Sequence, residues 1–304
     1  MPQHEPSGVL LLDKPAGITS HDAVGLARRL FGTRRVGHTG TLDPMATGLL
    51  ILLIGRAAKA AEYLSVHSKT YEATLCLGLT TDTEDTTGRV LSQSQTLPDS
   101  AAVLHAAAAF RGNLLQTPPM YSALKIGGKK LVDLARRGIE VERTARPIRI
   151  EKLEVFPTDD PALYRMTVSC SAGTYIRTLC ADIGAALGCG GAMAALRRTR
   201  VGDFALADAH TPETLKELSP DELSGLLLPT ETLFKEYPAV NLSLFFEKLA
   251  RSGCEIYQKK IGTSFPIGQK VRLRDEKSAF FALGETRDFP DGSAVKPIKL
   301  FDIE

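Results

Sequence analysis

Residues 37–48, GHTGTLDPMATG, hold one carboxylate, Asp43, among three glycines and four hydroxyl or imidazole side chains. The glycines admit backbone conformations closed to other residues, and Pro44 fixes the residue after Asp43, so the acid stands on a stiff, tight turn. Rigid loops of this kind commonly carry catalytic groups. The same residue also suits a plain turn cap, in which Asp bonds its own backbone ahead of a proline. A Walker-type phosphate loop does not fit, because no Lys-Ser/Thr pair follows the glycines. A metal site on His38 and Asp43 needs more ligands than the neighbourhood supplies. A second candidate is Arg177, in the first turn of a helix that follows SAGT. There the helix dipole disfavours a cation by about 0.3 to 1 kcal/mol. A nearby anion reverses that preference, and phosphate and Asp43 are the two candidates; the alternative is a solvated surface arginine.

The elements that must position these groups alternate along the chain. GVLLLDKPAG reads as a short strand ended by Pro15 and Gly17. Ser20 is placed to cap a helix from about His21 to Phe31 that stops at Gly32. LLILLIG reads as a buried strand. Tyr71, Ala73, Leu75, Leu77 and Leu79 alternate with Glu72, Thr74 and Cys76 as a strand with one core face. Leu163 to Cys170 is another strand, and Ile176, Leu179, Ile183 and Leu187 fall at helical spacing behind Thr174 as cap. From about residue 243, KVRLR, AFFALG and AVKPIKLF, divided by glycine and proline, indicate a small β-rich module.

At 304 residues with 43% hydrophobic and 24% charged residues, the chain has the composition of an ordinary globular protein, of a length that usually divides into two domains. MPQHEPSG lacks the basic and apolar runs of a signal peptide. Leu49 to Ile54 is far shorter than the roughly 20 residues that span a bilayer. The expectation is a cytoplasmic protein without membrane contact. Five cysteines without a C-x-x-C pair support neither a zinc ribbon nor a disulfide framework, and all five read as small buried hydrophobes. The net charge of +2 is unevenly spread: residues 125–152 hold nine Lys or Arg against four acids, whereas 203–236 hold eight acids and two lysines. The basic stretch is either a solvated face or a phosphate-backbone contact; the acidic one does not suit a polyanion.

Six segments in order, GVLLLDKPAGITSHDAV, RRVGHTGTLDPMATGLLIL, KTYEATLCLG, TPPMYSALKIGGKKL, LARRGIEVER and SAGTYIRTLCADIG, closely resemble the bacterial tRNA pseudouridine-55 synthases, the TruB family. The resemblance covers about residues 8–202, and the tail is similar to the family's small PUA RNA-binding module. It implies an α+β fold with a mixed, largely antiparallel sheet flanked by helices and loops. It places a catalytic domain at 1–240, with a basic RNA-gripping insertion at about 120–152, and a PUA-like domain at 241–304. The implied reaction isomerises one uridine of the tRNA TΨC loop: N1–C1′ breaks, the base turns, and C5 bonds to C1′. Atom count and oxidation state do not change, so no cofactor or metal is expected, and the base must be flipped into a pocket.

By position in these motifs, Asp43 matches the family's catalytic acid, attacking C1′ or C6 or removing the 2′ proton of the sugar. Arg177 matches the arginine paired with it. Tyr71 matches the tyrosine stacked on the target base, with a part in removing the C5 proton; its alternation equally supports a plain core residue. Tyr175 and Leu196 match further pocket contacts, and Lys14 and Pro15 the strand that supports the catalytic loop. His38 matches the histidine that fills space vacated by flipped nucleotides. Lys125, Lys129, Lys130, Arg136, Arg137 and Arg143 fall in the gripping segment, where Val132 stands in place of a frequent aromatic. TDTEDTTG looks like an acidic metal loop but lacks EF-hand spacing. The implied partner is the tRNA TΨC stem-loop, bound by a monomer without a guide RNA. The rival readings are a guide-dependent synthase, which shares GHTGTLDP, and a non-catalytic RNA-binding or tRNA-folding protein on the same fold.

Overall fold

The computed structural model describes residues 5–64 and 68–301; residues 1–4 of the MPQHEPSG stretch lie outside them. Its frame is a nine-stranded sheet. Strand β1 (Gly8–Lys14) leads into helix α1 (Ser20–Leu30), then β2 (Val36–Thr39), β3 (Thr47–Ile54) and, after a 3₁₀ helix at Gly55–Tyr63, β4 (Lys69–Leu77). A small hairpin, β5 (Leu79–Thr81) and β6 (Val90–Gln93), precedes α2 (Ser100–Ala108) and β7 (Gly112–Gln116). A second hairpin, β8 (Lys125–Ile126) and β9 (Lys129–Lys130), and α3 (Leu131–Ala135) follow. Next come β10 (Arg146–Pro157), β11 (Leu163–Cys170), α4 (Ile176–Ala186) and β12 (Gly191–Val201). The sheet order is β1-β3-β12-β4-β11-β10-β7, and β2 adds to β3. Every pairing on this path is antiparallel except β12 with β3. The α+β class and the mixed, largely antiparallel sheet are as expected.

The unbroken apolar run of β3 has a specific cause. Leu50, Leu52 and Ile54 enter the core shared with α1 and β4, whereas Leu49, Ile51 and Leu53 enter a second core on the opposite face. A strand buried on both faces shows no polar alternation. The second core contains Phe234, whose ring lies 6.3 Å from Tyr63, 5.9 Å from Phe280 and 5.5 Å from Phe301. Phe280 and Phe301 belong to the C-terminal part, so one aromatic cluster joins it to the sheet.

The acidic segment carries β13 (Phe204–Ala205), α5 (Pro212–Glu217) and α6 (Pro220–Gly225). It covers the outer edge of β1: Val9 and Leu228 exchange backbone hydrogen bonds at 2.8 and 2.9 Å, and His210 N–H donates to Leu11 at 2.9 Å. An open edge strand is thereby closed to other chains. The C-terminal elements are β14 (Ala239–Asn241), α7 (Leu244–Arg251), β15 (Ile256–Tyr257), α8 (Gln258–Ile261), β16 (Lys270–Arg274), β17 (Phe280–Phe289) and β18 (Gly292–Leu300). They build a five-stranded sheet in the order β14-β16-β17-β18-β15. This β-rich sheet begins at Ala239, a few residues ahead of the change in sequence texture.

Several local expectations shift. Helix α1 is capped by Thr19, which forms a capping box with Asp22, because Ser20 turns its hydroxyl to another use. Strand β4 ends at Leu77, since Gly78 adopts φ +79°. Cys170, Cys180 and Cys189 are buried, but Cys76 is half-buried and Cys254 lies exposed just beyond α7. Among the described residues, no helix is long and apolar enough to cross a membrane.

Gly48 is the position where glycine is required. Its φ is +100°, and a Cβ there would lie 2.3 Å from the Arg198 carbonyl oxygen across the β3–β12 contact. Gly48→Ala is expected to cost about 2 to 4 kcal/mol by strain and separation of the strands. Urea unfolding measures this, and a loss below about 1 kcal/mol contradicts the strained contact.

Candidate active site

The loop between β2 and β3 is fixed from several sides. Ser20 Oγ accepts from Leu42 N–H at 2.8 Å and donates to the Leu42 carbonyl at 3.0 Å. Gly17 N–H donates to the Pro44 carbonyl at 2.9 Å, and Ala46 N–H to the Asp43 carbonyl at 3.1 Å. Leu42 and Ala46 are buried, while the Asp43 side chain remains 35% exposed. Lys14 is fully buried at the end of β1. Its ammonium donates to the carbonyls of Pro15 and Ile18, both at 2.8 Å, and of Pro44 at 3.4 Å. Burial lowers its pKa to about 8, against the opposing pull of Asp43. The half-buried Pro15 follows in this turn.

Arg177 meets Asp43. Its Nε donates to Asp43 Oδ2 at 2.8 Å and its Nη2 to Oδ1 at 3.4 Å. Of the two anions considered for Arg177, the structure pairs it with the carboxylate. Arg177 is 4% exposed. Nη1 also donates to the Thr83 carbonyl at 2.7 Å and Nη2 to the Tyr121 carbonyl at 2.8 Å. A charge buried to this degree is tolerable only when its donors are occupied. The start of α4 is set differently from expectation: Thr174 Oγ1 donates to the Ser171 carbonyl at 3.0 Å, and Tyr175 is the cap residue without a side-chain bond. Gln116 of β7 takes over, accepting from Tyr175 N–H at 2.8 Å and donating to its carbonyl at 3.0 Å.

TDTEDTTG frames the arginine. Asp85 Oδ1 accepts from Thr83 Oγ1 at 2.8 Å, Thr87 N–H at 3.0 Å and Thr87 Oγ1 at 2.6 Å. This holds the Thr83 carbonyl toward Arg177, whose Nε lies 4.0 Å from Asp85 Oδ2. Sequence reasoning missed this role. The available signal was an aspartate flanked at two residues on either side by threonines, a local turn pattern.

The loop opens on a cleft of about 860 Å³ lined by Tyr71, Tyr175, Leu196 and His38. Tyr71 is buried, and burial raises the pKa of its phenol, which the nearby charge of Arg198 partly offsets. It belongs to the core face of β4, as its alternation indicates, and it also borders the cleft. Burial and the nearby Arg198 lower the pKa of His38, whose Nδ1 is buried without a hydrogen-bond partner. Arg198 is a further residue that sequence reasoning missed. It is fully buried, and donates from Nε to the Leu49 carbonyl at 2.7 Å and from Nη2 to the Gly40 carbonyl at 3.1 Å. Its neighbour Arg197 faces away and pairs with Asp13 at 2.7 Å.

The basic stretch divides. Lys125, Lys129 and Lys130 are exposed on the β8–β9 hairpin, whose Gly127-Gly128 turn has φ of +57° and +80°, as a tight hairpin requires. Arg136 and Arg137 are exposed after α3, and Lys130, Val132 and Arg136 border the cleft. Arg143 differs from these five. It is 22% exposed and donates to the Pro118 carbonyl at 3.2 Å and to Glu140 at 3.4 Å, which ties down the insertion. Residues 146–152 form the first part of strand β10 in the main sheet.

Residues 28–176 match the family described as "TruB family pseudouridylate synthase (N terminal domain)", and residues 177–235 the "tRNA pseudouridylate synthase B C-terminal domain". The chain is 44% identical over 290 residues to the tRNA pseudouridine synthase B of Syntrophotalea carbinolica, covering 95% of this chain and 87% of that protein. It is 47% identical over 246 residues to that of Aromatoleum aromaticum, covering 81% and 80%. In structure it resembles a chain of a Cbf5-Nop10-Gar1 complex, with a TM-score of 0.74, 26% identity, and coverage of 98% and 86%.

Lys14 gives a pH prediction. Folded, it releases its proton near 8 rather than at the ordinary 10.5, so between these values the unfolded chain binds more protons and stability rises with pH. The stability difference between wild type and Lys14→Met is therefore expected to move toward wild type by up to about 3 kcal/mol from pH 7 to 10.5. Paired urea titrations across that range measure it, and a difference that stays flat contradicts the depressed pKa.

Proposed function

The chain belongs to the TruB family of pseudouridylate synthases, and on that premise we propose that it isomerises uridine-55 in the TΨC loop of tRNA, with Asp43, Arg177 and Tyr71 as its reacting-site residues. The observation that carries this reading is the Asp43–Arg177 pair at 2.8 Å on the wall of the cleft that Tyr71 also lines. The N1–C1′ bond breaks, the base turns within the cleft, C5 bonds to C1′, and the C5 proton is lost while N1 takes up a proton. Attack of Asp43 on C1′ and its removal of the 2′ proton require its carboxylate at the nucleoside sugar, and attack on C6 requires it at the edge of the base. Arg177 holds one side of that carboxylate, and the exposed remainder faces the cleft.

Flipping the target base costs a few kcal/mol. A stacking ring contributes about 1 to 3 kcal/mol per base, which is of the right size to offset it. Tyr71 is assigned this part. Its raised pKa keeps the phenol protonated at neutral pH, so any part in removing the C5 proton depends on the guanidinium of Arg198 beside it. Tyr175 and Leu196 complete the pocket, His38 fills space left by flipped nucleotides, and Lys14 with Pro15 supports the loop. No cofactor or metal is assigned, because the isomerisation changes neither atom count nor oxidation state.

The division we assign is a catalytic part to about residue 240 and a PUA-like RNA-binding module after it. The exposed Lys125, Lys129, Lys130, Arg136 and Arg137 contact the RNA backbone. The protein acts in the cytoplasm as a monomer without a guide RNA. All the assigned reacting groups come from one chain, and the relatives at 44% and 47% identity carry the name tRNA pseudouridine synthase B, against 26% for the Cbf5 neighbour.

Purified protein alone is expected to convert an unmodified tRNA transcript, with the product mapped by carbodiimide-blocked primer extension; dependence on an added RNA guide, or tight binding without product, sinks this reading. Asp43→Asn is expected to lower turnover by about 10³-fold or more while tRNA affinity stays within a few-fold, because it removes a reacting group and not a phosphate contact. Equal losses of both reduce Asp43 to a structural part. Replacing Lys129, Lys130, Arg136 and Arg137 by Ala is expected to weaken binding of all RNAs. The slope of log affinity against log salt should flatten by roughly 0.7 to 0.9 for each phosphate the variant no longer neutralises; a weakening confined to one RNA sequence argues against backbone contact.

A further inference from the structure

Three consecutive residues of TDTEDTTG meet the start of α4. Thr83 supplies the carbonyl that accepts from Arg177 Nη1, and Asp85 braces Thr83. Glu84, between them, reaches one residue further along the helix, where Thr178 Oγ1 donates to Glu84 Oε2 at 2.5 Å. Thr178 is 4% exposed, so this bond lies inside the protein, on the residue that follows the buried Arg177.

Glu84 is held there against its own backbone preference. Its φ is +64°, a left-handed conformation that disfavours a side chain as long as glutamate and suits glycine. Two bonds keep it in place: Glu84 N–H donates to the Thr81 carbonyl at 3.4 Å, and Met193 N–H of β12 donates to the Glu84 carbonyl at 3.0 Å. A strained residue that turns a carboxyl inward beside a reacting site points to a use for that carboxyl. Helix α4 supplies one, because it starts at Tyr175 without a side-chain cap and carries Arg177 in its first turn, where the helix dipole opposes positive charge. Glu84 brings a negative charge to that turn. The other groups that face it are Asp182, one turn beyond Thr178, the thiol of Cys180, and Arg143 from the insertion. Burial does most to raise its pKa and Asp182 acts the same way, while the Thr178 bond, Arg177 and Arg143 pull it down. Its proton therefore leaves above the ordinary 4.5.

We propose that Glu84 is a positioning residue for the isomerisation: its carboxylate fixes the first turn of α4 through Thr178, and so sets how Arg177 presents the Asp43 carboxylate to the flipped nucleoside. Neither Glu84 nor Thr178 lines the cleft, so both act through Arg177 and not on the substrate. The inference rests on the reading of the cleft as the tRNA site.

The test compares full-length wild type, Glu84→Gln, Thr178→Val and Thr178→Ser on one TΨC stem-loop. Gln keeps the size and an acceptor for Thr178 but removes the charge, and Ser keeps the hydroxyl that Val lacks. At about pH 8, Glu84→Gln and Thr178→Val are each expected to slow single turnover at saturating RNA by about tenfold, with RNA affinity within about twofold, and Thr178→Ser to keep most of the rate. The double variant Glu84→Gln/Thr178→Val should be little slower than either single one, since both changes remove the same interaction. From about pH 5 to about pH 8, the ratio of wild-type to Glu84→Gln rates is expected to climb from near one as Glu84 loses its proton; taking the ratio removes any limb the two proteins share. A Glu84 that serves the fold alone shifts the urea midpoint and leaves this ratio flat. Exchange of the Arg177 Nε proton, followed by ¹⁵N NMR and assigned with Arg177→Lys, reads the clamp without the reaction, and is expected to be about tenfold faster in Glu84→Gln. The proposal is overturned if Glu84→Gln keeps the wild-type rate, if the ratio stays flat with pH, if Thr178→Ser is as slow as Thr178→Val, or if the double variant multiplies the two losses. Wild type that forms no pseudouridine defeats the functional reading; the Nε exchange then decides the clamp, and an unchanged exchange rate overturns it.

Discussion

One buried ion pair organises the site. Arg177 is almost wholly removed from water, and a guanidinium in that position must fill its donors from the protein or destabilise the fold. It does so with the carboxylate of Asp43 and the carbonyls of Thr83 and Tyr121. Four segments far apart in sequence therefore meet at one planar group: the Asp43 loop, TDTEDTTG, the start of the basic insertion and α4. The fork geometry of arginine suits this, because lysine offers no planar set of donors. The same contacts that satisfy the charge also aim the acid at the cleft.

The pattern recurs around the pair. Lys14 and Arg198 are fully buried, and each is held by backbone carbonyls: Lys14 by Pro15, Ile18 and Pro44, Arg198 by Leu49 and Gly40. These carbonyls belong to the Asp43 loop, the turn after β1 and strand β3, so the cations act as internal ties on this backbone. They also place positive charge behind the cleft wall, which favours an incoming polyanion. Their influence extends to His38 and Tyr71, whose proton affinities shift in opposite directions, both chiefly through burial, while the charge of Arg198 pulls each of them down. Asp43 keeps its carboxylate partly exposed on the wall of the same cleft.

The rest of the fold keeps this arrangement stiff. Strand β3 is buried on both faces, with one side packed with α1 and Leu42 of the Asp43 loop and the other sealed by the Phe234 cluster. That second core extends into the C-terminal sheet through Phe280 and Phe301, and the acidic segment closes the β1 edge. The C-terminal part is thereby packed against the strand that follows the Asp43 loop.

Local chemistry was legible from the residues themselves. Glycine and proline around Asp43 mark a tight turn, alternation marks β4 and β11, and a cation in a first helical turn marks a missing anion; each signal lies within a few residues, where dihedral preference and periodicity act. The motifs in order were enough to indicate the family and the α+β sheet. Tertiary structure alone decided that Asp43 is the anion of Arg177, that the Thr83 carbonyl meets the same guanidinium, and that Arg198 enters the core while Arg197 leaves it. These outcomes depend on which buried donors find which acceptors across 90 or more residues of chain, and hydrogen-bond satisfaction at that range leaves no periodic trace in the sequence.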